Sequence, residues 1–516
     1  MSTTPTAAAV DTSTPRAGRR EWLGLVVLML PVLLVSVNGT VLTFAVPSIT
    51  RALVPTGTEL LWAVDVYPLV LAGLLITAGS LGDRFGRRRM LLVGAAGFGI
   101  ASVLAAYAPD VRWLITARAL QGIFGAALMP STLSLLRNLF LDRQQRRLAI
   151  AVWAAGFSGG AALGPILGGW LLEHFWWGSV FLVNVPVLAL LLVVGPLLLP
   201  ESRDPSPGRL DLVSVGLSLT TMLPVVYAIK TLAAGSSPVT GVVAAVVGVA
   251  SGVAFVRRQL TGRDPLMDLR LFRSRVVSAA ISANLLSIAA LTGLLLLTSQ
   301  YLQLVLDVSP LDSGLLLVPG LLASVLAGLA AVPLARVAPV RWLVVAGLLL
   351  GAAGYVVATR LGPESGVVLV VVAFGLVAAG AGLSETLTND AILTAAPAER
   401  AGQASAVSET AYELGTGLGV AVLGSVLGAV YTSRLVLPET LDAGQRAAAS
   451  TLGGAVDVAE GLPGDAAAAV ADSARAAFSA GMDAAAGIGV VVMLAAAALV
   501  AFVWRERVTP VGDPRD

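Results

Sequence analysis

Fourteen stretches of about 18 or more residues, uncharged or nearly so, run through this 516-residue chain and decide what it can fold into. They fall at approximately 23–47, 60–80, 90–108, 113–136, 148–171, 177–199, 212–232, 239–256, 276–303, 314–334, 342–360, 366–388, 405–431 and 484–504. Each is long enough to cross a bilayer as a helix, which predicts an all-α membrane protein of fourteen spans. Composition agrees: 57% of residues are hydrophobic and 12% charged, with mean hydropathy +0.87, against about 25% charged in soluble domains. An even number of spans places both ends of the chain on one side.

The basic residues predict which side. With the N-terminus inside, inner loops and tails hold 25 of the 33 Lys and Arg residues. Seven lie in outer loops (Arg51, Arg112, Lys230, Arg360, Arg434, Arg446, Arg475), and Arg118 lies inside a span. Such an excess reads as inside-positive, with both termini cytoplasmic in a bacterial plasma (inner) membrane. The Ala- and Arg-rich, Lys-poor composition suggests a high-GC bacterium. Residues 1–21 read as a disordered cytoplasmic tail rather than a signal peptide, because the first apolar run is too long and thirteen more follow. Residues 505–516 read as a cytoplasmic tail. A net charge of +2 gives no nucleic-acid signal; the arginines mark topology and contact lipid headgroups.

Several chemistries are excluded. Without Cys there is no disulfide, thiol nucleophile or Cys-zinc site. The single His, His174 in LLEHFWW, reads as a membrane-interface residue beside Phe175, Trp176 and Trp177. The single Lys, Lys230 in VVYAIKT, leaves no GxxxxGK[ST] phosphate loop. No enzyme activity, cofactor or metal is expected, and any work must draw on an ion gradient or run downhill.

Two inner loops divide the chain. LPESRDPSPGRLDL (Leu199 to Leu212) is rich in Pro and mixed charge, and RRQLTGRDPLMDLRLFRSR (Arg257 to Arg275) is basic. The expected organisation is a six-helix bundle at 22–200, an inserted helix pair at 201–260 and a second six-helix bundle at 261–504. The last outer loop, 432–483, holds three basic residues and seven acids, and short surface helices are expected there.

Intramembrane acids are the candidate chemistry, since a carboxylate near the bilayer centre costs roughly 2.5–3.5 kcal/mol even on a lenient scale. Between Ala401 and Ser433 the only charges are Glu409 and Glu413, in VSETAYELGTG. Four residues apart, they share a helix face. Desolvation and mutual repulsion disfavour double ionisation, so at least one is expected to hold a proton when the site is empty. An entering organic cation would favour the carboxylate and release that proton, and reprotonation would expel the cation.

Asp65 in the second span, with Trp62 three residues earlier, could hold a cation between carboxylate and ring, or serve as a capping acid beside an interfacial Trp. Asn38, Trp153 and Tyr412 are further cavity candidates. Glu385 and Asp390, in SETLTNDAIL, read as an inner gate or helix-end contacts.

Three motifs carry a resemblance. GSLGDRFGRRRM, Gly79 to Met90, combines Gly79, Gly82 and Gly86, which permit a tight turn between packed helix ends, with Asp83, Arg84, Arg87 and Arg88. It resembles the signature loop of the major facilitator superfamily. In ITARALQGIFGAALMP, Arg118 enters a span, where it needs an acceptor or must snorkel to the outer interface. In AGFSGGAALGPILGGW, Gly156, Gly160, Gly164 and Gly168 recur every four residues as a flat ridge, followed at the last by Gly169, and Pro165 adds a bend. This stretch is similar to the motif of the antiporter branch.

The resemblance, from about Trp22 to Trp504, is to the fourteen-helix drug:proton antiporters of that superfamily. It implies a major facilitator fold, a cytoplasmic latch at Gly79–Arg88, a proton-coupling role at Arg118 and an exporter's direction. The implied activity is proton-coupled efflux of lipophilic cations such as quaternary ammonium compounds, dyes and fluoroquinolones. A dedicated natural-product exporter and, further off, a non-transporting membrane receptor stay open. The expected partners are cationic small molecules, protons and lipid; no nucleic acid is expected, and the chain reads as a monomer. Where members of that branch carry an acid in the first span, SVNGTVLTFAVPSI has Asn38, and the tenth span also lacks one. Fewer titratable sites predict a preference for monovalent over divalent cations.

Overall fold

A computed structural model describes residues 16–203, 211–262, 269–395 and 401–504; the tails expected at residues 1–15 and 505–516, and the middle of the two dividing loops, lie outside them. Among the described residues, fourteen helices are long and apolar enough to cross a membrane: α1 Arg19–Leu53, α2 Gly57–Phe85, α3 Arg87–Ala106, α4 Val111–Leu139, α5 Gln144–His174, α6 Ser179–Leu198, α7 Leu212–Ala233, α8 Pro238–Thr261, α9 Arg275–Val305, α10 Pro310–Leu334, α11 Val340–Ala358, α12 Val367–Thr394, α13 Ser405–Arg434 and α14 Gly464–Val503. No strand occurs among the described residues, as expected where lipid supplies no hydrogen bonds and each segment must satisfy its own backbone. Polar residues of the connections start the helices. Thr56 and Glu59 form a capping box on α2, Asp110 caps α4, Asp142 caps the helix that becomes α5, and Ser274 and Ser309 cap α9 and α10.

Buried apolar side chains of α1–α6 gather in two clusters, and those of α9–α14 in one larger cluster. Between these groups, α2 packs along α13, α5 along α10, and α1 touches α9. The α5–α10 contact depends on small residues: Gly169 lies against the backbone of Pro310 and Leu311, and Gly314 against the Pro165 carbonyl. The other face of α5 carries the ridge of Gly156, Gly160, Gly164 and Gly168. It meets Met29, Leu33, Ser36, Thr40 and Val41 of α1, and Ser36 and Thr40 donate to the Phe157 and Ala161 carbonyls. α7 and α8 form a hairpin whose outward side is exposed, and α7 lies against both α2 and α13.

Arg19 and Trp504 lie on one face of the molecule, here called the terminal face, with the α2–α3 turn and the connections after α4 and α6. Arg20 donates to the Leu197 carbonyl, the Ala17 N–H to Gln145, and Arg341 to the Trp504 carbonyl. On the far face the two groups are pinned together. Ser299 Oγ donates to the Thr43 carbonyl at 3.0 Å, and Gln303 Nε2 to the Phe44 carbonyl at 3.3 Å.

Two expectations are corrected. Of the 432–483 loop, residues from Gly464 onward belong to α14, a helix of 40 residues, roughly twice the length that spans the hydrocarbon core. Two short helices do form, Ala443–Ala448 and Leu452–Glu460, but the second is not a surface helix. It buries Leu452, Gly453, Gly454, Ala455 and Ala459, with Gly453 near Thr50 of α1 and Leu304 of α9. Its glycines and alanines let it sit closely across both groups of helices. Lys230, counted above as an outer-loop cation, lies inside α7 and is 1% exposed; the apolar run that contains it continues to Ala233, so its charge is taken into the protein.

Candidate transport site

α13 carries Glu409 and Glu413 into two compartments. Glu409 lines a cavity of about 360 Å³ between α2, α4, α5 and α13, with Ile76, Met129, Leu133 and Trp153 on its apolar walls. Asp83, Arg87 and Arg137, at helix ends, carry the cavity to the terminal face. The buried Oε1 of Glu409 has no hydrogen-bond partner among the described residues. Glu385 of α12 lies near enough to repel it, while Asp390 of the same helix is exposed.

One turn deeper, Glu413 is 5% exposed and lines a small cavity of about 50 Å³ with Ser36, Thr40, Tyr67, Arg118, Phe157 and Tyr412. Aromatic rings stand between the two compartments. Trp153 stacks on Phe157 at 6.5 Å, and Phe157 meets Tyr412 edge-on at 5.6 Å. Trp153 is fixed in place by donating to Thr132 Oγ1 at 3.2 Å. The two acids therefore share a helix face, as their spacing predicts, yet face different spaces. Among the described residues neither makes a salt bridge.

Arg118 is 2% exposed and does not snorkel. Its guanidinium donates to Gln121 Oε1 at 2.9 Å, to Asn38 Oδ1 at 3.3 Å and to the Ala63 and Val64 carbonyls at 3.3 and 3.5 Å. It also lies 4.5 Å from the centre of the Tyr67 ring. All these acceptors are neutral. Asn38, standing where an acid was expected from the resemblance, supplies an amide oxygen, so the arginine's charge is solvated but not cancelled.

Asp65 and Trp62 do hold a cation jointly, and it is the protein's own. Asp65 is fully buried, Lys230 Nζ donates to its Oδ1 at 2.8 Å, and the same Nζ lies 3.8 Å from the centre of the Trp62 ring. Sequence reasoning did not pair them. The available signal was a lone lysine in an apolar span, since intramembrane charges come with partners.

At the terminal face, Asp83 pairs with Arg87 across one turn, and Gly86 joins α2 to α3 at φ +109°, a conformation open to glycine. Glu201, after α6, holds the start of α3. Its Oε1 accepts from the Arg88 N–H at 3.0 Å, its carboxylate lies within 3.9 Å of the Arg88 and Arg89 guanidinium nitrogens, and Arg88 Nη1 donates to the Leu199 carbonyl at 3.0 Å. Glu201 too was missed, because the motif does not extend to the sixth helix. Gly79 lies beside the 360 Å³ cavity and Arg84 rests near Phe85.

The Major Facilitator Superfamily family model matches residues 28–420. The chain is 50% identical over 495 residues to "Multidrug efflux pump LfrA" of Mycolicibacterium smegmatis, covering 96% of this chain and 98% of that one. It is 36% identical to "Methyl viologen resistance protein SmvA" of Salmonella typhimurium, covering 89% and 93%. Among solved structures, a bacterial homologue of the human lysosomal transporter Spinster, in an inward-facing and unoccupied conformation, superposes with a TM-score of 0.64 at 18% identity, covering 94% of this chain and 97% of that one. That likeness is one of fold.

Proposed function

This chain belongs to the Major Facilitator Superfamily, and from that premise we propose that it is a multidrug efflux transporter exchanging protons for lipophilic organic cations. The observation that carries the reading is Glu413, a buried carboxylate without a salt bridge in a small cavity deep in the helices. In that setting a carboxyl group is stable either protonated or beside a cation, so the two occupants compete for one place.

In this reading a cation enters the 360 Å³ cavity from the terminal face, the side expected to be cytoplasmic, with its apolar groups against Met129, Leu133 and Trp153 and its charge toward Glu409. Passage inward displaces the Trp153, Phe157 and Tyr412 rings, which can stack on a delocalised cation, and brings it to Glu413. Arg118, positive and held by neutral groups, raises the cost of leaving a second cation beside Glu413 and favours its release once that acid is reprotonated. Alternating access moves α1–α6 against α9–α14, separating Ser299 from Thr43 and Gln303 from Phe44 on the far face while the terminal face closes over the 360 Å³ cavity.

Dye efflux is the direct test. Proteoliposomes holding the protein and given a pH gradient should move ethidium uphill, and purified protein in weakly buffered detergent should release protons when ethidium is added. Uphill movement that persists with all three of Glu409→Gln, Glu413→Gln and Asp65→Asn in one chain would refute the exchange.

A further inference from the structure

We propose that Lys230 is a tethered surrogate for the exported cation: it occupies a carboxylate–aromatic site made by Asp65 and Trp62 and keeps that site closed to cations from outside. The inference rests on the export reading above and adds a residue that sets which cations the protein accepts.

Asp65 and Trp62 together offer what an amphipathic ammonium compound needs. The carboxylate receives the ammonium at 2.8 Å, and the indole face lies 3.8 Å from the same nitrogen. Oδ2 of Asp65 is buried with no partner, so the carboxylate has unused acceptor capacity. The other charge acting on it is Arg118 of α4, itself engaged with neutral acceptors.

Lys230 also lines a cavity of about 450 Å³ toward the far face, bounded by Leu61, Gln300, Gly424, Tyr431 and Thr432. Its side chain is thus the partition between that cavity and Asp65. Shortening it opens the acid to a space large enough for a small organic cation. The lysine comes from α7, part of the inserted hairpin, and it is the only lysine in the chain. One of the three acids expected to meet a substrate is therefore neutralised from within, and the two that remain free open into separate cavities. This arrangement favours singly charged cargo.

The test uses the full-length purified protein and Lys230→Ala, with n-butylammonium as replacement for the lost side chain and n-butanol as its uncharged control. Lys230→Ala should melt below the wild type, recover several degrees with n-butylammonium and not with n-butanol, and lose that difference when Asp65→Asn is added. By equilibrium dialysis it should also bind one more equivalent of benzyltrimethylammonium than the wild type, and the double variant should not. Equal effects of amine and alcohol, or no additional equivalent bound, would overturn the inference. Should Lys230→Ala fold only with an additive, isolation with n-butylammonium but not n-butanol is the expected outcome, and failure with both overturns it. A wild type that binds no benzyltrimethylammonium while the amine still rescues the variant would count against the export reading alone.

Discussion

Glu413 and Glu409 differ in what they touch, and their variants should differ accordingly. A charge-assisted contact between a cation and Glu413 is worth about 1.5–3 kcal/mol, so Glu413→Gln should weaken ethidium binding about ten- to hundredfold and abolish substrate-induced proton release. Glu409 lies in the wider cavity that reaches the terminal face, where a cation first meets the protein; Glu409→Gln should raise the ethidium concentration needed for half-maximal efflux more than it lowers the maximal rate. At Arg118 the planar guanidinium serves four acceptors in different directions. An ammonium cannot match that fork, so Arg118→Lys should lower both the melting temperature and the pumping rate. These residues were legible one at a time, because a charge inside an apolar run stands out. Their partners were not: Asp65 and Lys230 are 165 positions apart, and only packing brings them together.

Within single elements, short-range pattern carried much more. The four-residue glycine spacing of α5 predicted a close helix contact, and the structure supplies its partner, α1. A branched side chain at Gly160 would meet Ser36 and the Leu33 carbonyl, so Gly160→Val should separate the two helices and lower the yield of folded protein in the membrane. Gly86→Ala places a Cβ both in a left-handed conformation and against Glu201. Roughly 1–3 kcal/mol of backbone strain, added to a displaced Glu201, should reduce efflux with little change in equilibrium binding of ethidium.

The inserted hairpin is tied at its terminal-face end by Arg258 of α8, whose Nε–H is shared between the two Asp211 carboxylate oxygens and whose Nη2 donates to one of them, holding the carboxyl down to about 2 from an ordinary 3.8. A depressed carboxylate contributes stability above its unfolded value and loses it only as pH falls through about 2. Asp211→Asn should therefore lower the melting temperature by the same amount at pH 5 and pH 8. The end of the long connection before α14 was less legible. Its Ala-rich residues suit a helix, but whether such a helix lies on the surface or joins α14 depends on what it meets.

For the whole molecule, the far-face contacts and the cavity on the terminal face describe one half of a cycle. The chain has no cysteine, so thiols placed by Thr43→Cys and Ser299→Cys would be its only ones. Bridging that pair with a short bifunctional thiol reagent should stop ethidium efflux, with cleavage of the bridge restoring it; either thiol alone should have little effect. The number of spans, their all-helical character and the residue types available for cation chemistry followed from sequence alone, because a bilayer gives an apolar run of this length few alternatives and makes every embedded charge conspicuous. Tertiary structure alone decided which acids stay free. It set Lys230 on Asp65, gave Arg118 a neutral amide at Asn38, and turned Glu409 and Glu413 into separate spaces. The physical reason is that the state of a buried charge is fixed by the groups within a few ångströms of it, and those groups come from helices that are distant along the chain.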